Sequence, residues 1–277
     1  MIKKTSTLFI FTLLIILSHS IFAQNESENW DVYMASYDEG KPGSTTVRMD
    51  LIDSAPFKDY EYILITGISY ESEREDGLPN GDSTFKLLYS LGDALVNLLD
   101  SYGENISVGS FTYNFERLEY FYLKSKDGIE EKINDFYTSN YPEHKYYLNI
   151  KEDKDWSYYK EFLYPNDETL NYMSDQKVVM ALQEASDKLT KARRVDHWVY
   201  FDNKSRMEAF KNEVLKQGFE IEFSGKIDST ALPFQCRIFR VDYVGIDSIY
   251  SITSSLRKLA KQFDGDYDGW ETSVETD

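Results

Sequence analysis

The stretch Phe263-Asp-Gly-Asp-Tyr-Asp-Gly-Trp-Glu271 carries the residues whose spacing most suggests chemistry. Asp264, Asp266 and Asp268 alternate, Gly269 follows, and Glu275 stands seven residues after Asp268. That is calcium-loop spacing: hard oxygen ligands at alternate positions, a glycine for the sharp turn and a bidentate glutamate at the twelfth position. Two features oppose it. Glu271 stands where an apolar residue normally tethers such a loop, and Thr276 and Asp277 stand where an exiting helix belongs. The competing reading is a final packed strand, with Tyr267 and Trp270 pointing to opposite faces.

Other chemistry is sparse. Beyond the N-terminal segment the histidines are His144 and His197, far apart in the chain, and Cys236 is the single cysteine. Two such histidines assemble no Ser/His/Asp or Cys/His set, and a zinc site lacks ligands. His197 reads as a satisfied strand residue. Cys236 lies in an apolar-rich strand candidate and reads as a buried, inert thiol. Glu152, Asp153 and Asp155 flank Trp156 in an acid-aromatic cluster where a glycosidase-like carboxylate pair is imaginable. In a chain with 48 acidic residues such adjacency carries little information, and a solvated face is the default. Arg193-Arg194 reads as a basic pair complementing a helix C-terminus. The expectation is a protein with no catalytic residues and no cofactor.

The elements that position these groups follow from composition and pattern. With 42% apolar residues in 277, the chain can build one large core or two ordinary ones. Lys3 and Lys4, an apolar run from Leu8 to Leu17, and Ile21-Phe-Ala-Gln24 form a secretory signal, with Ala23 as the last residue removed. The run is short of the ~20 residues of a spanning helix, so no stable membrane span is expected after cleavage. The predicted location is periplasmic or secreted. Loss of Lys3 and Lys4 takes the net charge from −18 to −20. A chain this acidic repels phosphate backbones and makes nucleic acid a poor partner.

Strand-like alternation marks Trp30–Tyr37 and Ser44–Ile52, and the denser apolar run Tyr60–Ile68 reads as a central strand. Leu88, Leu91, Leu95, Leu98 and Leu99 recur at helical spacing, with Asp82 or Ser83 as cap. A hairpin over 106–123, a short helix near 129–136, a strand at 146–150 and a short helix stopped by Pro165 follow. The polar stretch Asn166–Asp175 is the expected boundary between domains 24–165 and 166–277. A helix over 174–192 comes next. Then strand 195–201, helix 204–217, strands 219–223 and 233–244, helix 246–263 and strand 267–274 succeed one another. That order fits a ferredoxin-like βαββαβ sandwich, within a two-domain α+β protein whose N-terminal domain is a mixed sheet with helices.

Val195, His197, Val199 and Phe201 share one face of the first of these strands, and Trp198 and Tyr200 share the other. A sheet covered on one side should not need bulky aromatics on both. Trp198, Tyr200 and one of Tyr267 or Trp270 are therefore expected to form an aromatic surface, covered by the first domain or by a partner protein.

Residues 195–275 resemble the family of the regulator of ribonuclease E activity B. The resemblance rests on Val195-Asp-His197 with Tyr200-Phe201, on Gly218-Phe-Glu-Ile221, on Leu259-Ala-Lys-Gln-Phe-Asp264 and on Tyr267-Asp-Gly-Trp270. It implies a small ferredoxin-like domain that binds an enzyme and inhibits it without chemistry of its own, and it marks His197, Asp264, Asp268 and Gly269 as motif residues. The family's role is cytosolic, whereas this chain carries an export signal. Residues 28–165 are similar to domain-of-unknown-function family 695, through Trp30 with Tyr33, Gly77-Leu-Pro79, Asp155-Trp-Ser-Tyr-Tyr159 and Leu163-Tyr-Pro165. That resemblance implies no activity.

The sequence thus predicts an exported, non-catalytic protein with an unidentified protein partner. Partner contact falls to Trp198, Tyr200, Tyr267 and Trp270. The alternative is a calcium-dependent or carbohydrate-acting envelope protein using Asp264, Asp266, Asp268 and Glu275.

Overall fold

The apolar run read as a central strand is β3 (Tyr62–Ser69), and it is buried on both faces. The computed structural model describes residues 28–228 and 231–276; the predicted signal segment 1–23 lies outside them. Around β3 stand β1 (Trp30–Ser36), β2 (Pro42–Arg48), β4 (Asn105–Tyr113), β5 (Glu116–Leu123) and β6 (Tyr146–Glu152). They form one antiparallel sheet in the order β1-β2-β4-β5-β3-β6.

Alternation divides the side chains of this sheet between two cores. Leu64, Ile68, Phe121 and Leu123 meet α1 (Gly81–Tyr102) through Leu88, Leu91, Leu95 and Leu99, and α2 (Ile129–Asn140) through Ile129, Ile133 and Tyr137. On the other face Val47, Ile63, Ile65, Tyr120 and Tyr122 meet Trp156 and, from a π-helical turn at Tyr158–Leu163, Tyr159 and Leu163. The chain bends away before Pro165, as expected. Helix α1 begins at Gly81 rather than after Asp82 or Ser83. The Asn80 side chain ahead of it makes no capping bond and instead accepts from Ser72 Oγ and the Glu73 amide.

The polar stretch at 166–175 is helical, because Asn166 caps it by accepting from the Thr169 amide. Helix α3 therefore runs Asp167–Glu184, and the chain beyond it turns through Ser186 and Leu189 at positive φ instead of staying helical to 192. Met173 of α3 joins the core that holds Tyr33 and Val47, while Val179 and Leu182 join a core further along the chain.

The second sheet is built from β7 (Arg193–Phe201), β8 (Glu220–Lys226), β9 (Phe234–Asp242) and β10 (Asp266–Thr272), in the order β10-β7-β9-β8. With α4 (Lys204–Lys216) and α5 (Ile246–Gln262) the sequence order is βαββαβ, and the protein is α+β with two sheets. Met207, Phe210 and Val214 of α4 and Leu256 and Ala260 of α5 pack on Val199, Phe201, Cys236 and Ile238. Ile249 of α5 joins Val179 and Leu182 of α3 over Val195 and Trp270. All three helices thus cover one face of the four-stranded sheet. Among the described residues no helix is long and apolar enough to cross a membrane.

Candidate functional site

Strand β7 sets the geometry of the site, because its alternation sends Val195, His197, Val199 and Phe201 toward the helices. His197 is fully buried. Its Nδ1 lies 2.8 Å from the Tyr267 hydroxyl, and its Nε2 has no hydrogen-bond partner among the described residues. Burial, reinforced by the nearby charges of Arg240 and Arg257, drives the His197 pKa down to about 3. Burial likewise pushes the Tyr267 phenol well above its ordinary value. A proton carrier working near neutrality needs the opposite arrangement.

Beside this pair a single carboxylate organises the junction of α3, α5 and β10. Asp175, 1% exposed, accepts from the Trp270 indole N–H at 3.0 Å, from Thr253 Oγ1, and from Arg257 Nη1 and Nη2 at 3.0 and 3.1 Å. Every one of these donors belongs to the packing of the C-terminal sheet. The arrangement fixes α3 and the last strand to α5.

The expected opposition of Tyr267 and Trp270 is corrected by a bulge. Tyr267 pairs with Val199 and Trp270 with His197, with the register shifting between Tyr267 and Gly269. Gly269 takes φ 153, a value that side chains rarely adopt. The extra residue reverses the alternation, so both aromatic rings enter the helix-covered side. Of the four residues assigned to partner contact, Tyr267 and Trp270 are interior, and Trp198 and Tyr200 stand on the opposite face.

That opposite face carries a pattern the sequence analysis missed. Arg237 lies with its guanidinium carbon 4.6 Å from the Trp198 ring centre, and Arg194 lies 3.7 Å from that of Phe239. Arg194 pairs with Asp196 and Glu222, and Arg237 with Asp196 and Glu271. The Arg194 guanidinium holds the Asp196 carboxyl below its usual range. Gln235 donates to the Tyr200 hydroxyl at 2.9 Å. A second bulge, between Ile221 and Phe223, turns Phe223 out beside Arg237, where it is 40% exposed. The alternation of Gln235, Arg237 and Phe239 was the available signal, since all three must share a face on a strand. Arg193 and Arg194 sit in β7, not at a helix end. Arg193 is buried against Asp187, and Arg194 lies on this face.

The aspartates of the tail do not gather. Asp264 pairs with Arg206 at 2.9 Å, Asp266 and Asp268 lie exposed along β10, and the Glu275 amide is bound to Asp187 beyond the far end of the strand. Extended backbone advances about 3.3 Å per residue, so a strand cannot wrap these carboxylates round one ion. Among the described residues no group of three or more His, Cys, Asp or Glu side chains is placed to hold a metal. Asp153 is also occupied: its carboxylate accepts from the Tyr122 hydroxyl and from the Ser157 and Tyr158 amides, and so caps the π-helical turn. Glu152 pairs with Lys154 at the surface. Cys236 is buried, and burial raises its thiol pKa to about 12. His144 lies in the other half of the molecule, on a cleft with Ser69, Ser83, Glu143 and Lys145.

Comparisons with known proteins follow the same division. No curated protein matches the chain. A solved structure of an unknown protein from Galdieria sulphuraria is 11% identical, with 77% of this chain and 99% of that one covered and a TM-score of 0.21. A second, provisionally described as a glycine cleavage system transcriptional repressor, is 12% identical over 77% of this chain and 98% of its own, with a TM-score of 0.24. Residues 28–164 match the family of unknown function DUF695, and residues 173–272 match the family model of the regulator of ribonuclease activity B.

Proposed function

We propose that this is an exported, non-catalytic regulator whose C-terminal domain binds a protein partner through the open face of its four-stranded sheet. The observation that carries this reading is the one-sided cover of that sheet. Helices α3, α4 and α5 lie against one face, while Trp198, Tyr200, Phe223 and Phe239 stand on the other with two arginines laid over their rings. Tyr, Trp, Phe and Arg are the residues enriched where protein surfaces meet. The match of residues 173–272 to a model of a regulator of ribonuclease activity supports a regulatory role exerted by binding, and enzyme inhibition is the outcome this reading assigns to it. The commitment of His197, Asp175 and Cys236 to packing supports a role without chemistry.

Location in the periplasm or outside the cell rests on residues 1–23. The N-terminal domain supplies the body to which the binding domain is fastened through α3. The test is affinity capture with the chain lacking residues 1–23, from envelope and cytosolic fractions separately. A protein retained from the envelope fraction by the wild type and lost by the W198A/F239A variant is the expected result. Retention that is indifferent to W198A/F239A refutes the open-face assignment. A partner found in the cytosolic fraction alone refutes export.

A further inference from the structure

The open face has a chemistry of its own, and it selects the partner. Register partners on an antiparallel sheet share a face. Glu220 opposite Phe239, Glu271 opposite Asp196 and Asp266 opposite Tyr200 therefore belong to the surface of Trp198 and Arg237. With Glu222 and Asp268 the face and its rim hold six carboxylates against two guanidinium groups, those of Arg194 and Arg237. Both guanidinium groups are already stacked on rings and paired with two carboxylates each. The charge left to meet a partner is negative, on a molecule that is itself at −18.

One end of the face carries an open cleft of about 330 Å³ lined by Tyr200, Ala231, Leu232, Asp266 and Asp268. Its lining is an aromatic ring, two aliphatic side chains and two exposed carboxylates, neither of which forms an ion pair among the described residues. An alkyl stem needs apolar walls, and a cationic head needs carboxylates beside an aromatic ring. Trp198 and Arg237 continue the floor from Tyr200 toward Phe223.

We propose that the partner presents a basic, extended segment to this face, with one lysine or arginine side chain seated in the cleft between Tyr200, Leu232, Asp266 and Asp268. The inference rests on the protein-binding reading above and adds the chemistry of the segment bound. Nucleic acid is the competing class for an aromatic sheet face, since bases stack on such rings. The carboxylate excess opposes it, because a phosphate backbone needs cations to replace its counter-ions.

The experiment uses the chain lacking residues 1–23 and fluorescence anisotropy at physiological ionic strength. The probes are a labelled octapeptide alternating Lys and Thr, its Glu-for-Lys counterpart and a labelled thymidine decamer. The Lys peptide is expected to bind, and the D266N/D268N variant to bind it at least tenfold more weakly. E130Q/E131Q, on exposed residues of α2 with the same change in total charge, should leave that affinity within about twofold of wild type. Equal losses in the two variants would reduce the effect to general acidity and overturn the proposal. So would binding of the decamer or the Glu peptide more tightly than the Lys peptide. Protein capture that fails in W198A/F239A while peptide binding ignores D266N/D268N leaves an open-face partner but removes the basic segment. Absence of any captured protein counts against the protein-binding reading, while the peptide measurement still stands.

Discussion

The indole N–H of Trp270 reaches the carboxylate of Asp175, 95 residues earlier in the chain, at 3.0 Å. Through this bond and those from Arg257 and Thr253, one buried charge joins α3 to α5 and the last strand. Removing one partner of a buried pair leaves the other charge without compensation, which costs about 3–5 kcal/mol. Asp175→Ala is therefore expected to lower stability by about 3 kcal/mol or more, measured by urea denaturation. Asp175→Asn keeps an acceptor for Trp270 but loses the charge facing Arg257, and should cost less. A loss under 1 kcal/mol for Asp175→Ala would show that the cluster carries little of the fold.

The second prediction concerns acid. His197 has a pKa of about 3 in the folded chain, against 6.5 for the free side chain. Between those values the unfolded chain binds one proton more than the folded one. The stability contributed by neutral, buried His197 is complete above pH 6.5 and is lost as pH falls through that window. The slope is about 1.4 kcal/mol per pH unit. Carboxylates add their own acid sensitivity below about pH 5, so the range from 6.5 to 5 isolates the histidine. Denaturant midpoints for the wild type and for the H197F/Y267F variant, which removes the polar pair together, should diverge in slope across that range. Parallel curves would show that His197 titrates near its ordinary value and that the interior admits water.

Much of this architecture is legible in the chain. Alternation locates β1 and β7, a continuous apolar run locates the doubly buried β3, and leucine spacing locates α1, because pattern and burial coincide there. At 166–175 the polar stretch read as a domain boundary is itself helical. Its polar groups are a helix cap, solvent-facing side chains and the one buried Asp175. Spacing held the clue, since Asp175, Val179 and Leu182 fall on one helical face. The site residues Trp198 and Tyr200 follow from strand parity alone. Tyr267 and Trp270 do not, because parity fails across a bulge, and Gly269 inside a strand pattern was its mark. Ion pairs such as Arg237 with Asp196 join residues 41 apart and leave no local pattern to read.

The close approach of Gly265 to β7 gives a third prediction. A Cβ added there would lie 2.3 Å from Cε1 of Phe201, a fully buried ring in the helix-covered core. The ring also packs on Phe210 at 5.3 Å between centroids, so it has little room to yield. Overpacking of this kind costs about 1–3 kcal/mol. Gly265→Ala should lower the urea midpoint accordingly, and the G265A/F201L variant should recover part of the loss. Additive losses in the double variant would show that the ring is not what excludes a side chain at 265.

The bulge at Gly269 decides where both tail aromatics point, and it sets the fourth prediction. Holding a side chain at φ 153 costs about 1–3 kcal/mol, and no atom of the described residues lies within 4 Å of an added Cβ. Gly269→Ala therefore tests backbone strain without steric conflict, and a loss of about 1–2 kcal/mol is expected. Deletion of Asp268 makes a different demand. It removes the extra residue, restores strict alternation, and lets β10 bury only one of Tyr267 and Trp270. Either His197 loses its hydroxyl partner or Asp175 loses its indole partner. The deletion should cost well beyond G269A, and hydrogen exchange should show β10 opening while β9, whose partners on β7 and β8 are unchanged, keeps its protection. A deletion variant as stable as the wild type would mean that the bulge is not what aims the two rings.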